Sequence, residues 1–213
     1  MPSPAQLAAL TKTSVKKIIP DALLKERDII VRLGPGSGRI YARMRLLETI
    51  GMNAMSKRLV PPNVRSFVFV CFGNIMRSPM ASALLEQAAA EKNLRIRSDS
   101  AGLHAIAGSH AHERAQTAAA EMGIPLTAHR SKMLTKEMIE HADAILAMDL
   151  QNVAELLNLY PQFQRKIFML SACSGSLRLR EIPDPYFGDL ETTRQCYRVV
   201  DACVRNMLAS LTT

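Results

Sequence analysis

From Ser66 onward the chain alternates between two hydrophobic rhythms. The segment "SFVFV" (66–70) is an unbroken apolar run of the kind that fills a strand buried on both faces, and similar runs recur in "ADAILAMD" (142–149) and "KIFML" (166–170). "LRIRSDSAG" (94–102) reads as a further strand that closes on a glycine turn. Between the runs, apolar residues return at helical spacing. This predicts helices over 78–93, 111–122 (stopped by Gly123), 135–140, 150–157 and 190–211. Strand and helix in alternation imply an α/β fold, a four-stranded parallel sheet with helices on both faces, whose ligands sit beyond the carboxyl ends of the strands. Cys71 stands at one of those ends.

Upstream of Ser66 the rhythm is purely helical. Residues 21–33 and 39–58 both carry helical spacing, and "GPGSG" (34–38) between them should break any continuous helix. "PPN" (61–63) reads as a linker into the first strand. The division expected is a helical extension over 1–64 and an α/β domain over 65–213. Apolar Leu23, Leu24, Ile29, Ile30, Leu46, Leu47 and Ile50 are too many for a solvated tail, so the extension should pack on something.

Charge sharpens this division. The chain of 213 residues carries a formal charge of +8, but residues 1–64 hold 11 Lys and Arg against 4 Asp and Glu, while 65–213 hold 16 against 15. The basicity is a property of the extension, where Arg27, Arg32, Arg39, Arg43, Arg45, Lys57 and Arg58 could face an acidic partner or an anionic membrane surface. A nucleic-acid partner is not expected. No run of about 18 apolar residues suggests a membrane span, and no secretion signal opens the chain, so a cytoplasmic location is expected. In a reducing compartment the four cysteines should be free thiols, and no spacing among them suggests zinc.

The chemistry concentrates in "VCFGNIMRSPMASALLEQ" (70–87), which sets a thiol, a tight loop, an arginine and a helix start within a few residues. Backbone N–H groups converging in such a loop at a helix N-terminus cradle a phosphate-like anion. Gly73 and Asn74 are residue types that tolerate a left-handed backbone, and Arg77 offers a planar fork for two phosphoryl oxygens. The same positive field favours the thiolate, the nucleophilic form of Cys71, and Ser78 can donate to it. A lone cysteine at a strand end is usually inert. The joint pattern of cysteine, five residues and Arg-Ser at strand, loop and helix is much more specific.

"VCFGNIMRSPMA" resembles the signature of the low-molecular-weight protein tyrosine phosphatases, Val-Cys-x-Gly-Asn-x-x-Arg-Ser-Pro. The resemblance continues through "DSAGLHAIAGSHAHERAQTAAAEMGI", "HRSKMLTKEMIEHADAILAMD" and "EIPDPYFG" in the family's order, over about 65–213. It implies phosphotyrosine hydrolysis through a phosphocysteine on Cys71. Phe72, Gly73, Asn74, Ile75, Met76 and Ser78 would form the phosphate loop, Arg77 would hold the phosphoryl oxygens, and Asp184 of "PDPYFG" would be the general acid. No metal or other cofactor is implied, because loop and arginine supply the charge stabilisation. His129 resembles a supporting histidine near the loop, Ser100 could brace it, and Asp149 is expected to cap the following helix. Phe72, Tyr186 and Phe187 would line the rim and stack on a phenyl ring.

Two departures matter. Met76 stands where many relatives carry a second cysteine able to form a disulfide with the nucleophile, and "LHAIAG" (103–108) lacks the rim aromatic of eukaryotic members. The pattern is similar to bacterial members, some of which act on tyrosine kinases of polysaccharide export, so a phosphotyrosine protein, such as a kinase of that kind, is the expected partner. Arsenate reductase, on the same scaffold, is the alternative reaction. It needs two further cysteines in a mobile segment, and 141–151 contain none. A module that binds phosphoproteins without turning them over, recruited through the basic extension, is the non-enzymatic alternative.

Overall fold

The computed structural model describes residues 21–52, 55–177 and 179–211. Four parallel strands, β1 (Ser66–Cys71), β2 (Arg97–Gly102), β3 (Ala144–Ala147) and β4 (Ile167–Met169), lie in the order β2-β1-β3-β4. All six residues of β1 are buried, as its central place and unbroken apolar run require. In register Cys71 pairs with Gly102 and Val70 with Ala147, so the strand ends converge on one edge of the sheet.

Alternation along β1 divides the core in two. Phe67, Phe69 and Cys71 face a layer built on α2 (Arg77–Glu91), α3 (Glu113–Glu121) and α6 (Leu190–Ser210), with Met80, Leu84, Ala118, Tyr197, Val200 and Val204. Val68 and Val70 face α4 (Lys136–His141) and α5 (Leu150–Leu159), with Ile139, Val153 and Leu156. The helix starts follow capping chemistry. Thr135, Asp149 and Asp189 each accept a hydrogen bond from the N–H three residues on, and Gly123, with φ 74°, follows the end of α3. The strands are shorter than the sequence runs suggest, because pairing requires a neighbour as well as apolar side chains: β2 begins at Arg97, not Leu94.

The upstream segment forms α1 (Asp21–Thr49), bent at Gly34, whose φ of 74° and ψ of 179° interrupt the helical backbone. The two arms double back on each other. The Tyr41 hydroxyl donates to Glu26 at 2.8 Å, although fifteen residues of straight helix would separate them by about 22 Å. A Cβ on Gly38 would lie 2.5 Å from the Ile30 carbonyl oxygen, so glycine permits the close return. The break at "GPGSG" thus occurs as the sequence implies. The second arm, however, starts at once after the bend and ends at Thr49; a turn over 50–51 follows, and Met55–Lys57 forms a short 3-10 helix, in place of one helix expected to reach Arg58.

α1 packs on α5 within its own chain. Tyr41 and Met44 are buried with Val153 and Leu156, and Ile29, Ile30, Leu33 and Ile40 pack against them. Only part of the apolar set is packed in this way, for Leu23, Leu46 and Ile50 are exposed. Two of the basic residues turn inward. Arg58 donates to the carbonyls of Gln164 and Arg165 and lies over the Phe168 ring, and Arg45 enters the ion-pair cluster described below. Among the described residues no helix is long and apolar enough to cross a membrane.

Candidate active site

Cys71 ends β1, and the chain then turns through residues 72–76 into α2. No side chain caps the start of α2 at Met76, so its first N–H groups are left to the loop's concave side. Around the buried Cys71 sulfur, the Asn74 N–H donates at 3.2 Å and the Ser78 hydroxyl lies at 3.0 Å.

Asn74 holds the loop's shape. It is wholly buried with φ 52°, and its side-chain amide donates to Ser78 Oγ and Ser100 Oγ, both at 2.9 Å. Its Oδ1 accepts the Lys132 N–H at 3.0 Å, and its main-chain carbonyl meets His129 Nε2 at 2.7 Å. The carbonyl can only accept, so His129 carries the proton on Nε2. Burial pushes the His129 imidazole below its ordinary pKa, against the upward pull of that hydrogen bond.

Of Gly73 and Asn74, the two residue types able to tolerate a left-handed backbone, only Asn74 adopts it. A Cβ on Gly73 would meet only the Ile75 side chain at 3.6 Å, an ordinary contact. The tight glycine is Gly102 at the end of β2, where a Cβ would come within 2.7 Å of the Phe72 carbonyl oxygen and 2.9 Å of the Asn74 nitrogen. The loop rests directly on that backbone.

Ser78 accepts from Asn74, so its one proton can go to the Cys71 sulfur at 3.0 Å or to the Ala101 carbonyl at 3.3 Å. Charge developing on sulfur would draw it to the nearer partner. Arg77 is buried with its fork occupied: Nη1 lies 2.6 Å from Asp149 and 3.2 Å from the Ile182 carbonyl, and Nη2 lies 2.8 Å from Asp184. Burial opposes its charge, but Asp149, Asp184 and Cys71 outweigh burial and hold the guanidinium above its ordinary range. Asp149 therefore has two tasks. Its Oδ1 caps α5 at the Asn152 N–H, as expected, and its Oδ2 fixes Arg77, which local sequence could not reveal.

The aromatic residues expected at the rim lie at the surface. Phe72 and Phe187 are exposed, and Tyr186 stands edge-on to Phe187 and to His112. His104, which the sequence did not single out, stacks on Phe72 with ring centroids 4.6 Å apart and meets Glu155 at 2.5 Å. The only hint lay in "LHAIAG", where it occupies the segment that lacks the rim aromatic of eukaryotic members. Tyr197 was also missed. Buried on α6, it donates to the Met76 carbonyl at 3.2 Å and so ties down the end of the loop.

The other cysteines are of a different kind. Burial pushes Cys173 up to about 11 and Cys196 and Cys203 up to about 12, so all three stay protonated at neutral pH. Cys196 donates to the Pro183 carbonyl at 3.5 Å, beside Asp184.

This geometry coincides with a family match. The model of the low molecular weight phosphotyrosine protein phosphatases covers residues 66–213. The chain belongs to that family. By family it is a protein-tyrosine-phosphatase, a hydrolase of phosphoric monoesters. It is 34% identical to the probable low molecular weight protein-tyrosine-phosphatase EpsP of Ralstonia nicotianae, over 68% of this chain and 98% of that one. Against a protein-arginine-phosphatase of Bacillus subtilis it is 32% identical, over 68% and 95%. The crystal structure of the Erwinia amylovora tyrosine phosphatase AmsI superposes with a TM-score of 0.66 at 28% identity, over 73% of this chain and all of that one. α1 lies upstream of the matched family region.

Proposed function

We propose that residues 65–213 form the catalytic domain and hydrolyse phosphotyrosine in two steps. The Cys71 sulfur attacks phosphorus in line. A sulfur–phosphorus bond forms as the phosphorus–oxygen bond to tyrosine breaks, while the loop N–H groups and Arg77 hold the three equatorial oxygens. Asp184 gives its proton to the departing phenolate oxygen, which at a pKa of about 10 leaves poorly as an anion. The carboxylate then takes a proton from water, whose oxygen attacks phosphorus. Cys71 departs as thiolate, steadied by Ser78 and by the Asn74 N–H.

The observation that carries this reading is the convergence of Cys71, Arg77 and Asp184 on one loop at the end of the central strand. The aromatic rim of Phe72, Tyr186 and Phe187 supports an aryl leaving group over an alkyl one. Asn74, His129 and Ser100 act by keeping the loop in shape. The substrate is a phosphotyrosyl protein of the cytoplasm, and likeness to bacterial members favours a tyrosine kinase of polysaccharide export. Cys173, Cys196 and Cys203 are all buried, and 141–151 contain no cysteine, which speaks against a relay of disulfides as in arsenate reduction.

The deciding experiment compares turnover of a phosphotyrosyl and a phosphoarginyl peptide by the full chain and by Cys71→Ser. Preference for phosphotyrosine, lost in Cys71→Ser, supports the proposal. Preference for phosphoarginine would overturn the substrate, and binding without turnover would overturn the enzyme.

A further inference from the structure

Three carboxylates, Asp149, Glu181 and Asp184, are met by two guanidiniums. One is Arg77. The other, Arg45, comes from α1, outside the region that matches the family. Arg45 Nη1 pairs with Glu181 Oε1 and lies 2.8 Å from Glu48 Oε2, while its Nε lies 3.2 Å from both Glu26 and the Tyr41 hydroxyl. The doubled-back arms of α1 therefore hold this guanidinium in a fixed place.

Glu181 is the first residue of the short segment that ends at Asp184. Its second oxygen accepts the Leu150 N–H at 3.1 Å, at the turn where Asp149 begins α5. One carboxylate thus joins α1, the start of α5 and the root of the acid segment. Ile182 is fixed next, donating to the Met148 carbonyl at 2.8 Å and accepting from Arg77. Only after these two ties does the chain reach Asp184, whose side chain is 42% exposed and can exchange Arg77 for a leaving oxygen.

We propose that Arg45 is a positioning residue for the general acid, and that α1 thereby completes the active site from outside the family's catalytic domain. Without Arg45, Glu181 would be a part-buried carboxylate, its side chain 19% exposed, close to Asp149 and without its ion-pair partner, an unfavourable arrangement. Burial already pushes the Glu181 carboxyl upward against the pull of Arg45 and Leu150. It would turn toward water or take up a proton, and either change frees the root of a segment whose acid is three residues away. A displacement of about 1 Å at a proton donor can cost on the order of a hundredfold in rate. The effect should appear where proton delivery matters and be absent where it does not.

The inference rests on Asp184 being the acid, so Asp184→Asn is measured beside Arg45→Met, Arg45→Lys and Glu181→Gln in the full chain. The substrates are phenyl phosphate, whose leaving group needs a proton, and p-nitrophenyl phosphate, whose leaving group barely does. Arg45→Met keeps the aliphatic stem, and kcat on phenyl phosphate should fall about tenfold while p-nitrophenyl phosphate stays within about twofold. Glu181→Gln, which can keep only one of the two ties, should show the same split more weakly. It carries the test if Arg45→Met does not fold. Arg45→Lys restores the charge and should recover part of the loss. Adding Glu181→Gln to Arg45→Met should cost nothing further, since both break one contact. Equal losses on both substrates, or none on either, would overturn the proposal while a split in Asp184→Asn leaves the acid assignment standing. No split in Asp184→Asn would remove the acid assignment and this proposal with it.

Discussion

Arg77 and Asp184 are ion-paired at 2.8 Å, with the arginine side chain 3% exposed and the aspartate 42% exposed. Asp149 holds the other nitrogen of the same fork from the buried side, at 2.6 Å. The two carboxylates are therefore unequal. An arriving phosphoryl group can displace Asp184 toward the rim, whereas Asp149 is anchored at the start of α5. On the proposed assignment of Asp184 as the acid, substrate binding and release of the acid would be one exchange on Arg77.

The exchange predicts opposite effects of Asp184→Asn on binding and on turnover. With the competing charge gone, inorganic phosphate should bind about two- to fivefold tighter, the scale of a part-exposed ion pair. Turnover of phenyl phosphate should fall by about 10² to 10³. Product-inhibition constants and kcat measured on one preparation check both, and weaker phosphate binding would show that Asp184 does not compete for the fork.

Asn74 separates backbone from side-chain contributions. Asn74→Ala loses hydrogen bonds to Ser78, Ser100 and Lys132 and puts a Cβ without local support at φ 52°, so it should cost about 2–4 kcal/mol. Asn74→Gly loses the same bonds but adopts that backbone freely, and should be about 1 kcal/mol better. Denaturant unfolding of the two variants gives the difference directly. Equal stabilities would mean that the left-handed backbone is not a cost.

His129 gives a pH dependence with a definite sign. Its imidazole lies below the ordinary value in the folded protein, so the unfolded chain binds the proton more readily. The stability it contributes is complete above about pH 6.5 and is lost as pH falls from there toward the folded pKa. Calorimetry between pH 7.5 and about 5 should show Tm falling, with a shallower fall in His129→Gln. Parallel curves for the two proteins would place the proton uptake elsewhere.

Deletion of 1–64 tests the proposed division of the chain. Removing α1 uncovers the face of α5 that packs Tyr41 and Met44, so Tm should drop by several degrees. If the truncated protein stays folded, kcat on p-nitrophenyl phosphate should remain within a few-fold, because Cys71, Arg77 and Asp184 all lie after Ser66. Phenyl phosphate should suffer as it does in Arg45→Met. A folded truncation inactive on both substrates would refute the division.

The sequence by itself determined the alternation that became a four-stranded parallel sheet, the break in α1, and the place of Cys71 at a strand end before a helix. These are local properties: apolar rhythm, glycine and proline at the bend, and a motif contiguous over eighteen residues. The partners of Arg77 were out of reach, since Asp149 and Asp184 lie 72 and 107 residues downstream and meet it only because β1 and β3 pair in register. Tyr197 likewise has no signature until α6 closes on the loop, and neither the stacking of His104 on Phe72 nor the close approach of Gly102 to the loop could be read from local sequence. The direction taken by the basic residues of the extension was also a tertiary matter. Charge along a chain says that a field exists, but only packing decides that Arg45 turns inward to Glu181 and Arg58 to the backbone before β4, because a guanidinium goes where desolvated carboxylates and carbonyls can receive its fork.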